Sequence, residues 1–285
     1  MALAEINGYR MHYEVFGEDD APVLALIHGG LGGGDGSRDT INRQAAALSA
    51  EYRLVFYDRR SCGQSDAPVD GYDMANCARD LKELLEHLGI ARAHILGSSA
   101  GGPIAMQFAL DYPDMTDTLI LINTMTYSQE AQREVRRQEL RRLKERMASE
   151  GRSAAVERGL SDRFPQMAED DPARFARIVQ ENLERLDGIA ATHQAYVDIG
   201  DSLESRLGEL KMPVSIVHGD QDSRIPVECG YSLNDGIQQA ELFVIAGAEH
   251  GLMTNDAAER TRSAITTWLR KVQGANKATA AAETA

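Results

Sequence analysis

Four stretches of the chain hold residue types that together can break an acyl bond. In residues 94–110, HILGSSAGGPIAMQFAL, an apolar run ends in Gly97-Ser98-Ser99-Ala100-Gly101 and resumes as a helix-like segment. A serine at the centre of such a turn is forced into a strained backbone conformation that lifts its hydroxyl clear, and its flanking glycines avoid side-chain collisions. Ser99 is central and is the candidate nucleophile, whereas Ser98 points elsewhere. A phosphate loop is the rival reading, but it calls for Lys followed by Ser or Thr, or for G-x-G-x-x-G spacing, and neither stands here. The pentapeptide alone is weak evidence.

A serine hydroxyl needs a base to take its proton and an acid to orient that base, in the chain order Ser, Asp or Glu, His. VHGDQDSRIP offers Asp220 and Asp222 after one apolar run, and IAGAEHGLM offers His250 after the next. HGGLGGG, residues 28–34, follows an apolar run upstream; the backbone N–H groups of Gly30 and of Ala100, beside the nucleophile, are candidate donors to a developing oxyanion. His28 and His218 also end apolar runs, but the base belongs in the last strand-to-helix loop, where His250 stands. His12, His87, His94 and His193 lie in or beside expected strands and helices and read as structural.

These groups meet only if the runs that precede them lie side by side. EINGYRMHYEVFG reads as a hairpin about Asn7-Gly8. Continuous apolar runs at Val23–Ile27, Arg53–Tyr57, 93–96, 118–122, 214–218 and Ala240–Ile245 read as strands buried on both faces. Helical spacing appears over 73–88 and 102–110, and again over 256–272. The alternation predicts an α/β fold: a mostly parallel, eight-stranded sheet flanked by helices. Residues 128–207 offer no strand, only charged helical segments, so a helical insert interrupts a core made of 1–127 and 208–273. The tail 274–285 has little to bury and is expected to be disordered.

Size and composition agree with one main core plus an insert: 285 residues, 43% hydrophobic and 26% charged. No stretch is long and apolar enough to span a bilayer, and the N-terminus lacks a secretory pattern, so a cytoplasmic location is expected. Cys62, Cys77 and Cys229 are odd in number and widely spaced, which suits neither disulfides nor zinc. A net charge of −14 argues against nucleic acid and anionic membranes and disfavours strongly anionic substrates. In REVRRQELRRLKER, Glu134 with Arg137 and Glu139 with Arg142 stand at helical neighbour spacing, as in a self-paired solvated face. No metal or cofactor is called for; a small-molecule substrate and a homodimer are the partners allowed for.

The motifs together resemble the α/β-hydrolase superfamily over nearly the whole chain. The matching pieces are HGG at 28–30, YDRRSCGQSD at 57–66, GSSAG at 97–101, GDQD at 219–222 and GAEHG at 247–251. The likeness is greatest to capped serine hydrolases such as bacterial carboxylesterases, lactonases, proline iminopeptidases and cofactor-free haloperoxidases. It implies that the acid ends the G-x-x-D run, which favours Asp222. It implies also that the insert forms a lid, with Leu31, Met125, Tyr127, Phe164, Met167, Phe175 and Tyr196 as candidate pocket residues. Some relatives carry the acid after the sixth strand, where this chain has Asn123-Thr124. Two departures stand out: Ser61 replaces a glycine of the D-x-R-G-x-G-x-S loop, and Leu31 replaces the proline of HGGPGGG, which weakens a peptidase assignment. The implied activity is hydrolysis of a carboxylic ester or lactone of a neutral, fairly apolar substrate. The alternatives are C–C bond hydrolysis, an iminopeptidase, or a non-enzymatic ligand receptor.

Overall fold

Alternation inside the apolar runs decides which helices cover which face of the sheet. The computed structural model describes residues 2–33, 36–163 and 165–283. Its strands are β1 (Ala2–Ile6), β2 (Tyr9–Phe16), β3 (Val23–Ile27), β4 (Arg53–Tyr57), β5 (Ala93–Ser98), β6 (Thr116–Ile122), β7 (Val214–Gly219) and β8 (Ala240–Ile245). They form one eight-stranded sheet in the order β1-β2-β4-β3-β5-β6-β7-β8. The β1–β2 and β2–β4 pairs are antiparallel and the rest are parallel. The hairpin turns on Asn7 and Gly8, both at positive φ (+45° and +79°), as the favoured two-residue turn requires.

Side chains alternate across each strand, so neighbouring residues join different cores. Ala25, Ile27, Val55, Ile95, Leu119 and Leu121 pack with α2 (Met74–His87), α3 (Gly101–Asp111) and α9 (Glu228–Gly236). Leu24, Leu26, Leu54, Leu96, Ile120 and Ile122 pack on the other face with α1 (Arg38–Leu48) and α10 (Ala258–Glu283). Burial on both sides is why these strands read as unbroken apolar runs. Helices α1 and α9 do not figure in the sequence reading, because each offers only a few core residues: Ala45 and Leu48 in α1, and Cys229 and Leu233 in α9.

Between β6 and β7 the chain forms α4 (Glu130–Glu150), α5 (Arg152–Arg163), α6 (Pro165–Asp170), α7 (Pro172–Glu184) and α8 (Leu186–Asp198). Glu204 ties this segment's two ends together, accepting from Thr126 Oγ1 at 2.5 Å and Ser128 Oγ at 3.1 Å. On α4, Glu134 pairs with Arg137 as expected, but Glu139 pairs with Arg136 rather than Arg142. Helix α10 runs into the tail 274–285, as far as Glu283, in keeping with the strong helix preference of alanine. Among the described residues no helix is long and apolar enough to cross a membrane, and all three cysteines are buried and unpaired.

The loop after β4 is anchored by a buried ion pair. Arg60 Nε and Nη2 each donate to Asp80 of α2 at 2.7 Å, Asn7 Nδ2 adds a bond of 2.7 Å, and the Tyr9 ring stacks under the guanidinium. Removing one partner leaves a buried charge without its counterion. Asp80→Ala is therefore expected to destabilise the fold by about 3–5 kcal/mol, measured by urea unfolding, whereas a loss below about 1 kcal/mol would mean that the pair anchors nothing.

Candidate active site

The turn after β5 leaves no room for side chains except at its tip. A Cβ on Gly97 would lie 2.6 Å from the Gly101 carbonyl oxygen, one on Gly101 would lie 2.3 Å from that of Ile27, and one on Gly102 would lie 2.0 Å from Thr124 Oγ1. Ser99 takes φ +52°, an uncommon conformation for a residue with a side chain. Its N–H donates to Ile122 O at 2.9 Å, and its carbonyl accepts from Gly102 N–H at 3.0 Å and Thr124 Oγ1 at 2.7 Å. These bonds hold the strained residue at the head of α3 with its hydroxyl half-exposed.

His250, in the loop after β8, brings Nε2 to 3.0 Å from Ser99 Oγ and Nδ1 to 2.7 Å from Asp222 Oδ2. With Asp222 ionised, Nδ1 carries the hydrogen and Nε2 is left to accept the serine proton. Asp222 Oδ1 accepts backbone N–H groups of Arg224 and Ile225, both at 2.9 Å. Burial pulls this carboxyl up, but the His250 bond and the two backbone donors outweigh it and hold its pKa below the ordinary value. Asp220, the alternative acid, is exposed and caps the next turn through Gly247 N–H at 2.7 Å. After β6, the left-handed Asn123 receives Gly219 N–H at 2.9 Å and so joins the ends of β6 and β7 without entering the array.

His28 and His218 are committed elsewhere. The His218 Nε2–H donates to Ile225 O at 2.9 Å, and burial lowers the pKa of the ring. His28 Nδ1 lies 2.6 Å from Gly29 O, and its Nε2 accepts the Arg59 backbone N–H at 3.1 Å. Burial and the Arg59 charge push the His28 pKa down to about 4, against the opposing pull of Asp58.

The glycine loop runs beside the serine. A Cβ on Gly29 would lie 3.0 Å from Ser99 Cβ, and the exposed Gly30 turns at φ +86°. No hydrogen bond among the described residues uses the N–H of Gly30 or of Ala100, so both remain available to a substrate oxygen. The segment between β6 and β7 covers this loop: a Cβ on Gly32 would meet Ile189 of α8 at 3.1 Å, and one on Gly33 would meet Asn182 of α7 at 2.2 Å.

Of the expected pocket residues, Met125, Tyr127 and Tyr196 are buried in the apolar cluster that includes Ala100, and Leu31 packs against it. Tyr127 and Tyr196 meet edge to face, 5.1 Å between ring centres, and the Tyr196 hydroxyl donates to Ala100 O. Met167 on α6 and Phe175 on α7 lie outside that cluster; Phe164 lies outside the described residues. Ser61 adopts φ +60°, the conformation its missing glycine would take freely, and its hydroxyl pairs with Tyr72 OH at 2.6 Å. Sequence reasoning missed Arg59, Thr124 and the hydroxyl of Tyr196. The doubled arginine at 59–60 was the one visible signal.

A mostly parallel sheet with a serine at a strained strand-to-helix turn, hydrogen-bonded to a histidine that in turn bonds an aspartate, both from later loops, defines a class of fold and site. The family model described as alpha/beta hydrolase fold matches residues 22–256. The chain belongs to that family. A Variovorax paradoxus protein named as a carbamate hydrolase, RutD, is 28% identical over 90% of this chain and 94% of its own. The 2-hydroxy-6-oxo-6-phenylhexa-2,4-dienoate hydrolase of Comamonas testosteroni is 27% identical over 92% of each chain. Among solved structures, the enol-lactonase of Burkholderia xenovorans LB400 superposes with a TM-score of 0.69 at 26% identity, covering 96% of this chain and 100% of its own.

The depressed His28 pKa fixes a sign. The folded state refuses a proton that the unfolded chain accepts, so the contribution of His28 is complete above pH 6.5 and is lost as pH falls through about 4. In urea unfolding, the stability advantage of wild type over His28→Gln is expected to shrink steadily between those pH values. An advantage independent of pH would show that the ring is not held neutral.

Proposed function

We propose that the protein is a serine hydrolase that cleaves a carboxylic ester or lactone of a neutral, fairly apolar substrate through an acyl-enzyme. The observation that carries this reading is the single imidazole bridging Ser99 Oγ at 3.0 Å and Asp222 Oδ2 at 2.7 Å. Ser99 Oγ attacks the acyl carbon while His250 Nε2 takes its proton, and Asp222 holds the ring and stabilises its charged form. The carbonyl π electrons move onto oxygen, which the N–H groups of Gly30 and Ala100 receive. When the tetrahedral species collapses, the bond to the leaving oxygen breaks and that oxygen takes the proton from His250. A water molecule then gives a proton to His250, attacks the acyl-enzyme, and releases the acid with Ser99 restored.

Met125, Tyr127 and Tyr196, buried in the same apolar cluster as Ala100 with Leu31 packed against it, support an uncharged acyl group. Likeness to an enol-lactonase supports the lactone side of the reading. Likeness to a dienoate hydrolase favours a second reading, cleavage of a C–C bond by the same three residues.

A p-nitrophenyl ester series of increasing acyl length tests the proposal. Wild type is expected to turn over the shorter members, and Ser99→Ala to lose at least about a thousandfold in kcat while melting at an unchanged temperature. Full activity in that variant would exclude the nucleophile. Turnover of a vinylogous diketone acid with none of any ester or lactone would favour C–C cleavage.

A further inference from the structure

Two adjacent arginines in the loop after β4 meet opposite fates. Arg60 is neutralised by Asp80, whereas Arg59, only 6% exposed, forms no ion pair among the described residues. Its Nε has no partner either. A guanidinium buried without a counterion is costly and calls for a compensating use. Its Nη2 donates to Gly29 O at 3.0 Å and also to Gly30 O. The Arg59 charge also acts on the Tyr196 hydroxyl, the group that donates to Ala100 O. The cation therefore lies between the two halves of the site.

The geometry points to Arg59 as a positioning residue for oxyanion stabilisation: its guanidinium grips the Gly29–Gly30 peptide from behind, aiming and polarising the Gly30 N–H. This rests on the serine-hydrolase reading above. A trans peptide sets its C=O and N–H in opposite directions, and there is no cis peptide among the described residues. A donor on Gly29 O therefore turns the Gly30 N–H away from Arg59 and strengthens it, since hydrogen bonds along one amide polarise each other. Gly30 is left-handed at φ +86°, and Arg59 shares the Gly29 carbonyl with His28 Nδ1 at 2.6 Å, so two donors hold a peptide that glycine leaves free to rotate. The second donor is treated alike: the carbonyl of the Ser99–Ala100 peptide takes Thr124 Oγ1 at 2.7 Å and Gly102 N–H at 3.0 Å. Arg59 adds what Thr124 lacks, a fixed positive charge that is itself buried and that favours the anionic transition state over the neutral ester.

The test compares wild type with Arg59→Gln and Arg59→Lys. The readouts are kcat and KM for p-nitrophenyl butyrate, affinity for phenylboronic acid, whose serine adduct carries an oxyanion-like oxygen, and thermal melting. Arg59→Gln is expected to lower kcat roughly tenfold, less than the loss of a hole donor itself, with KM within about twofold of wild type. Boronate affinity falls by the same factor as kcat. Arg59→Lys, which keeps the charge on a side chain of shorter reach, falls between the two. If the glutamine variant does not melt cooperatively, the lysine variant carries the test alone, with parallel losses in kcat and boronate affinity expected.

Unchanged kcat and boronate affinity in a folded variant would overturn the proposal while leaving the hydrolase reading intact. A rise in KM confined to esters bearing a carboxylate, with kcat kept, would assign Arg59 to substrate binding and also overturn it. A wild type that neither turns over the ester nor binds the boronate would overturn the hydrolase reading, and this proposal with it.

Discussion

Ser99 sits at φ +52° where β5 turns into α3, and the rest of the site is arranged around keeping it there. A non-glycine residue in that region costs on the order of 1 kcal/mol or more. The cost is offset locally, because both backbone groups of Ser99 are hydrogen-bonded and three glycines let neighbouring backbone close in. The same turn points the hydroxyl away from the sheet and starts α3 at Gly101. Strain, exposure and the nearby Ala100 N–H thus have one origin. Relaxing the turn would misplace all three together.

Parallel strands supply the partners. β5, β6, β7 and β8 are consecutive neighbours in the sheet, so the loops after them emerge along one edge. This brings Asp222 and His250 to Ser99 despite separations of 28 and 151 residues in their hydrogen bonds. The helices between β6 and β7 enter at that edge and lie on the glycine loop so closely that a Cβ on Gly32 or Gly33 would crowd Ile189 or Asn182. Closeness of backbone to backbone, more than any large pocket, shapes the site. Within it the neutral His28 and the cationic Arg59 converge on one carbonyl, that of Gly29.

The sheet was legible because both-face burial writes itself as unbroken apolar runs, and β3, β4 and β8 fall on the residues read from the sequence. The Ser, Asp, His order and the glycine spacing were legible because they answer to local backbone needs. Side chains acting across the fold were not. Thr124 and Tyr196 look like any threonine and tyrosine until the fold sets their hydroxyls against the carbonyls of Ser99 and Ala100. Arg59 could not be told from Arg60 by composition, since only the position of Asp80 on α2 decides which of them is neutralised. Apolar character marks Met167 and Phe175 as apt to be buried, but not in which cluster. The run of α10 to Glu283 was not legible, because an alanine-rich segment with nothing to bury can still satisfy its own backbone as a helix.

The central claim is that one serine, and no other, is activated by its neighbours. The most direct measurement is to treat the folded protein with a fluorophosphonate at neutral pH, digest it, and locate the adduct by peptide mass spectrometry. The account predicts rapid stoichiometric modification of Ser99, slowed by orders of magnitude in His250→Ala. An unmodified Ser99, or an adduct on Ser98 or another serine, would contradict it.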